Sequence, residues 1–506
     1  MSTDKNNVSS NEKKNQKNMN QKLSRRPSAL LSVVPILVLV VLLSITIRTF
    51  GSDALGGGSQ IVLLTSTAVC SVLAMSCCRV SWKAIETAIC NNILGVSVAI
   101  IILLLIGALA GSWMVSGIVP TLIYYGMQIL HPTFFLASCC IICAIVSVMT
   151  GSSWTTIATI GIALMGIGEA QGFAQGWIAG AIISGAYFGD KISPLSDTTV
   201  LASSVTHTPL FSHIRYMMFT TTPSMLISLI IFAIAGFMHE SSSAEQIASF
   251  SSSLDNTFDL SLVLLVVPLI TAILIAKKVP SLITLFISAA LAGCCAIIFQ
   301  PNLLHEIAGM EVHDAQSLFK GLFITYYGGT SVETGNEALN SLVATRGMSG
   351  MMDTIWLIIC AMCFGGAMTA SGMLESLTAV FLRFMKRRVG MIMSTVFSGL
   401  FLNICTADQY ISIILTGNMF KDIYKRKGYE SRLLSRTTED AVTVTSVLIP
   451  WNTCGMTQAT ILGVATLTYL PYCFFNLISP LMSIFIAATG YKIKQNHETH
   501  QDLVAD

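Results

Sequence analysis

Residues Gly189 to Thr199 read Gly-Asp-Lys-Ile-Ser-Pro-Leu-Ser-Asp-Thr-Thr and follow an apolar stretch long enough to lie in a bilayer. Hydrocarbon cannot solvate Asp190, Lys191 or Asp197, so charges at such a depth mark an ion or substrate path. Pro194 and the surrounding hydroxyls predict a broken helix. Irregular backbone at membrane depth survives only where protein or a polar cavity satisfies its freed N–H and C=O groups. The segment therefore predicts a binding site inside a membrane domain.

Composition supports that setting for the whole chain. Hydrophobic residues make up 53% and charged residues 11%, against roughly 25% charged in soluble proteins. Several apolar runs approach the ~20 residues a spanning helix needs. The fold class predicted is an all-α polytopic membrane protein. Most of the 14 cysteines lie in apolar runs, where cysteine packs as a small hydrophobe; the metal-like spacings Cys140/Cys143 and Cys360/Cys363 are read as core packing. A net charge of +2 gives no reason to expect nucleic acid.

Residues 1–28 are polar and hold seven basic side chains before the first apolar run, Ala29 to Ile47. They predict a disordered cytoplasmic tail, with the first helix retained because no small-residue cleavage pattern follows it.

An internal repeat supplies the architecture. Thr150 opens Thr-Gly-Ser-Ser-Trp with Pro194 44 positions later; Thr406 opens Thr-Ala-Asp-Gln-Tyr with Pro450 44 positions later, an offset of 256 in both places. Ser116-Gly117 and Ser371-Gly372 repeat at 255 and Pro223 and Pro480 at 257, in the same order, which favours duplication over chance. Val33-Val34-Pro35 and Val266-Val267-Pro268 add a weaker match at a shorter offset. Each half then reads as three spans, an interfacial arm, a re-entrant hairpin, a broken helix and a closing span. The first repeat covers 29–237, with spans near 29–47, 60–77 and 93–112, arm 117–131, hairpin turn 150–154, break 189–199 and closing span 216–237. The second covers 260–490, with spans near 260–276, 281–299 and 351–371, arm 373–388, hairpin turn 405–410, break 449–455 and closing span 471–489. An outer loop, 238–259, joins them, and 491–506 forms a cytoplasmic tail.

Five crossings per half, counting the broken helix once, invert the second repeat relative to the first. Charge agrees. With the N-terminus inside, the predicted cytoplasmic segments 1–28, 78–92, 207–216, 277–280, 383–388, 421–436 and 491–506 hold 24 of the 28 Lys and Arg residues, whereas 238–259 and 300–319 hold acids but no Lys or Arg. That is the positive-inside pattern. Both termini are thus expected in the cytoplasm. Inverted repeats with interrupted helices are a common transporter design, with the site where the broken elements meet at the midplane.

The string Ser184 to Thr199, together with Gly151-Ser-Ser-Trp-Thr, Ser435-Arg-Thr-Thr-Glu-Asp and Leu448-Ile-Pro-Trp-Asn-Thr-Cys-Gly, resembles the signature of the NhaC family of Na+/H+ antiporters over about Pro27 to Gly490. The resemblance implies an exchanger of the ion-transporter superfamily in the bacterial cytoplasmic membrane, working by alternating access with an elevator-like movement of the hairpin and broken-helix domain. Because some NhaC-like proteins exchange malate and lactate, it also leaves open a Na+-coupled organic-acid exchanger.

Residue chemistry gives the same direction. Na+ takes hard oxygen ligands, which broken helices supply from carboxylates, hydroxyls and freed carbonyls. Asp190 and Asp197 are the expected Na+ carboxylates, with Ser193, Ser196, Thr198 and Thr199 beside them and Ser152 and Ser153 at the hairpin turn. Asp408 with Thr406, and Asn452 with Thr453, are the second half's counterparts. Lys191 is expected to be the charge partner of Asp190 and Asp197. Helix capping and packing compete with ion binding for every hydroxyl here, and a hairpin cap competes for Asp408. Asp440, after Glu439, divides between a helix-dipole role and a proton relay. Trp113, Trp154 and Trp451 read as packing or anchoring groups, Glu375 and the basic cluster at 383–388 as solvated, and His207 and His213 as solvated on an inner loop. The expected partners are Na+, H+ and the lipid bilayer, with no cofactor and with a homodimer left open. An ion channel ranks below an exchanger. Enzyme activity is not expected, since the chain has no His-Glu-x-x-His, Gly-x-Ser-x-Gly or Gly-rich nucleotide loop.

Overall fold

The computed structural model describes residues 27–50, 56–239, 244–277, 279–312, 314–382, 385 and 387–495. Most of both predicted tails, residues 240–243 of the outer loop, and Arg383 and Lys386 of the basic cluster lie outside them. The described residues are mostly helical and form no β-strand. Among the described residues, eight helices are long and apolar enough to cross a membrane. Two bent pairs, Ser249–Thr257 with Leu262–Ala276 and Thr466–Tyr472 with Phe474–Thr489, raise this to ten if each is one span. The chain is an all-α polytopic membrane protein.

The elements fall into two runs along the chain. The first has spans Ala29–Phe50, Gly58–Cys78 and Ser97–Val115, then an arm, Ile118–Ile129. A hairpin follows, its outgoing helix Pro132–Thr150 turning at Gly151–Ser152 into a return leg that ends in Ile162–Ala170. The broken helix is Gln175–Ile192 and Asp197–Val205, and Leu210–Met238 closes the half. The second half offers Leu262–Ala276, Ser281–Phe299, Met352–Ala370 and the arm Met373–Leu382. Its hairpin is Arg388–Thr406 and Gln409–Arg426, its broken helix runs from Ser431–Thr438 to Thr453–Leu462, and Phe474–Thr489 closes it.

The halves exchange partners. The first half's opening span packs on the second half's arm, and the second half's opening helix packs on the first half's arm and outgoing hairpin helix. Ser97–Val115 packs against Ser281–Phe299, while Met352–Ala370 packs against Gly58–Cys78. One apolar core accordingly joins the first hairpin to Leu285, Ala289 and Ala292 of the second half, and another joins Leu63, Cys70 and Leu103 to Leu402 and Cys405 of the second hairpin.

Several boundaries differ from the sequence reading. The segment 78–92 contains most of a helix, Trp82–Gly95, capped by Ser81 and laid on Met352–Ala370 through Ile85. The outer segment after 300 forms Pro301–Ala308 and Ala315–Tyr327, the latter packed on Ser97–Val115. The second break lies before Thr453, and Ser431–Thr438 is a buried helix although it overlaps the predicted cytoplasmic segment 421–436. The physical reason is that these helices are too short or too polar to register as spans, yet packing buries part of each, and Leu433 to Thr438 on every side. All 14 cysteines are unpaired, with Cys140, Cys143 and Cys360 buried.

Candidate ion-binding site

The first hairpin tip meets the first helix break. Gly151 has φ +65, a conformation L-residues rarely adopt, and an added Cβ would come within 2.6 Å of Leu195 in the break. The hairpin's outgoing helix and the broken helix approach so closely that a Cβ at Gly189 would lie 2.4 Å from the Ala144 carbonyl. Small residues permit this backbone approach within a membrane.

Asp190 ends the first leg of the broken helix and is only 6% exposed. Its Oδ2 accepts from Ser153 N–H at 3.2 Å and Ser153 Oγ at 2.7 Å, with Ser196 beside it. Asp197 opens the second leg, exposed and with no hydrogen bond or ion pair among the described residues. Thr199 Oγ1 donates to the Lys191 carbonyl at 2.9 Å, and Ser193 Oγ to the Val148 carbonyl at 2.8 Å. Ser196 caps the second leg and shares a hydrogen bond with Thr198 at 3.0 Å. Ser152 caps the return leg of the hairpin. The junction of tip and break therefore presents a buried carboxylate beside an open one, among several hydroxyls. Ser193 and Thr199 tie the break together, while Ser153 and Ser196 line the Asp190 carboxylate.

The second tip meets the second break in the same way. Thr453 N–H donates to the Ala407 carbonyl at 2.8 Å, and Thr453 Oγ1 to Asp408 Oδ2 at 3.1 Å. Asp408 also caps the return helix, accepting from Ile411 N–H at 2.9 Å. Thr406 Oγ1 donates to the Asp408 carbonyl, and Asn452 caps the leg that begins at Thr453. The two tips come together around residues that sequence reasoning did not select. Tyr410 stands in the electrostatic field of Asp190, Asp197 and Asp408, and Tyr187 and Trp154 lie against Cys454. Gln409 and Ser446 bond each other at 3.2 Å. The 256-residue offset points to this last pair, since it carries Ser153 to Gln409 and Asp190 to Ser446.

Lys191 does not pair with Asp190 or Asp197 as expected. Its side chain turns across to the second broken helix and, fully buried, donates to Asp440 and to Ser479 Oγ at 3.0 Å. The reason is helical phase: Asp190 and Lys191 are neighbours about 100° apart around one helix, so they face different elements. Asp440 also accepts from Thr220 Oγ1 at 3.0 Å. His213 is likewise buried, not solvated, because its helix begins at Leu210 and turns the ring onto Ser435 at 2.6 Å. His207 and Glu375 are exposed. Trp113 packs with its Nε1 on Ser288, and Trp451 donates to the Ile404 carbonyl.

Comparison with known proteins follows from this arrangement. Residues 185–491, which contain the first helix break, the second hairpin and the second broken helix, match the model of the Na+/H+ antiporter family. The chain belongs to that family. It is 38% identical to the malate-2H(+)/Na(+)-lactate antiporter of Bacillus subtilis, over 81% of this chain and 85% of that one. It is also 38% identical to the Na(+)/H(+) antiporter NhaC of Alkalihalophilus pseudofirmus, over 81% and 86%. The arginine/ornithine antiporter ArcD of Halobacterium salinarum is 34% identical over 93% of each chain.

Proposed function

We propose that this protein is a secondary antiporter that exchanges Na+ for H+ across a bacterial cytoplasmic membrane, with Asp190 and Asp197 as the cation's carboxylates. The observation that carries the reading is the Asp190 carboxylate held at the junction of hairpin tip and helix break, with Asp197 open beside it. A cation at such a carboxylate and a proton on the buried acids around it relieve the same excess of negative charge, so binding one disfavours the other. Family membership and the Na(+)/H(+) antiporters among the relatives support the same exchange. The exchanged packing of the two halves is what a two-fold axis relating them would give, and the concentration of Lys and Arg in alternate segments supports an inverted repeat with both termini inside. Alternating access would move the hairpins and broken helices past Ser97–Val115 and Met352–Ala370. Between these groups lies a cavity of about 860 Å³, lined by Met114 and Thr354 on one side and Met165 and Met456 on the other.

Organic-acid exchange needs a free cation for the substrate carboxylate. Lys191 is engaged with Asp440; Arg346, on the wall of the cavity and in no ion pair among the described residues, is the group that reading would use. Proteoliposomes containing the purified protein separate the two. Na+ should move against an imposed pH gradient with no organic acid present, and a strict requirement for malate or lactate would reject the proposal.

A further inference from the structure

We propose that Glu439 is a proton-binding site of this exchanger, separate from the Asp190 cation site. The inference rests on the Na+/H+ exchange reading. Glu439 is fully buried and neither of its oxygens accepts a hydrogen bond; the Thr443 hydroxyl turns towards it but is itself unpaired. It makes no ion pair among the described residues, since Lys191 and Arg436 both face Asp440. A buried, unpaired carboxylate is very costly when ionised, and the cheapest remedy is a proton. The contrast with Asp190 is direct: Asp190 accepts two donated bonds from Ser153, which suits an anion, whereas Glu439 accepts none, which suits an acid.

Sodium fits Glu439 poorly. A hard cation needs several converging oxygens, and here two cationic side chains, Lys191 and Arg436, stand close by. The backbone is irregular as well. Glu439–Thr443 is a π-helical turn, a form concentrated at functional sites. The fold does not impose the acid, because the same position 256 residues earlier is Ile183.

The groups around Glu439 explain how a proton there would sense Na+ elsewhere. The first broken helix supplies Asp190 and Lys191, with Asp197 at the start of its second leg; Asp440 and Arg436 flank Glu439 on its own element. Leu210–Met238 supplies His213 and Tyr216, and the second hairpin's return helix supplies Tyr424. The remaining neighbours, Asn403 from the hairpin's outgoing helix and Asn476 and Ser479 from the closing helix, carry no charge. With all five buried groups ionised, Asp190, Glu439 and Asp440 carry three negative charges against the two positive charges of Lys191 and Arg436, leaving one negative charge in excess within the buried cluster. One Na+ at Asp190 or one proton on Glu439 neutralises it. When Na+ binds, the Glu439 carboxylic acid releases its proton and becomes the carboxylate; when Na+ leaves, the proton returns. Coupling then runs through the field of the Lys191–Asp440 pair.

The test is Na+ binding to the full chain in detergent, by calorimetry across roughly pH 6 to 9 in buffers of different ionisation enthalpy. Wild type should release about one proton per Na+, and its affinity should weaken up to tenfold per pH unit as pH falls. Glu439→Gln should bind Na+ with little proton release and a flattened pH dependence, while Glu439→Asp should restore release. A second measurement needs no variant. The infrared difference spectrum on adding Na+ to wild type should lose the carbonyl band of a protonated acid, and ¹³C-glutamate labelling should shift that band. Full proton release from Glu439→Gln, or a lost band that ignores glutamate labelling, would place the proton on an aspartate and overturn the inference. If wild type binds no Na+ or releases no proton, the exchange reading itself fails.

Discussion

The two hairpin tips share a skeleton and differ in where they put charge. In the first, Thr150 Oγ1 donates to the Ser152 carbonyl at 3.1 Å and pairs with Thr156 at 3.1 Å; in the second, Thr406 Oγ1 donates to the Asp408 carbonyl at 3.0 Å and pairs with Ser412 at 2.8 Å. Every one of these positions is 256 residues from its counterpart. Ser196 and Asn452, also 256 apart, cap the second legs. On that common frame the first half carries its acids on the broken helix, at 190 and 197, where the second half has Ser446 and Thr453. The second tip carries its acid on the hairpin, at 408, where the first has Ser152, and the acids of the second broken helix, Glu439 and Asp440, lie on the leg before its break. Asp408 is spent on a helix cap and on Thr453; Asp197 is spent on nothing. The comparison teaches that the tips are not equivalent ion sites. The first is chemically open to a cation, and the second is closed upon itself.

The largest effect should follow removal of charge from the first tip. Asp190→Asn and Asp197→Asn should each reduce exchange in vesicles to background while the protein remains in the membrane, whereas Ser446→Ala at the matching position should retain most of it. Wild-type rates in both Asn variants would break the comparison. Next is the cation that bridges the halves. Lys191→Met leaves Asp440 buried with a weaker partner, a change of about 3–5 kcal/mol in comparable buried pairs. Thermal unfolding in detergent should register it, and Lys191→Met with Asp440→Leu should recover much of the loss.

A smaller effect sharpens the comparison at the turns themselves. Gly151 and Ala407 both adopt left-handed backbone, φ +65 and +57. Gly151→Ala should destabilise by about 1–2 kcal/mol from backbone strain alone, with the Leu195 clash added. Ala407→Gly should be nearly neutral, because relief of strain offsets about 0.4–1 kcal/mol of added unfolded-state entropy. Equal losses in both variants would contradict the idea that Leu195 leaves no room for a Cβ at the first turn, whereas the second turn accommodates one. At the bottom of the scale, Glu306→Gln, outside both tips, should leave exchange unchanged.

Much of this was legible in the chain. The 256-residue offset pointed to both tips and to the neighbourhood of both breaks, because Gly, Pro and hydroxyl residues punctuate helices. Asp190 and Asp197 stood out because charge is rare in apolar surroundings. What sequence could not give was direction. Residues 190 and 191 are adjacent, so the Lys191–Asp440 pair, which spans 249 positions, depends on how two broken helices cross. Likewise His213 and Arg436 lie near polar segments that hydropathy assigns to loops, yet both are buried. Only packing decides which face of a weakly amphipathic helix meets water.

Direct Na+ binding compares the two tips without the complications of transport. Calorimetric titration of purified wild type, Asp190→Asn and Asp408→Asn at one alkaline pH should find binding abolished in Asp190→Asn and retained, at reduced affinity, in Asp408→Asn. Binding that survives in Asp190→Asn and vanishes in Asp408→Asn would place the cation at the second tip and contradict the account.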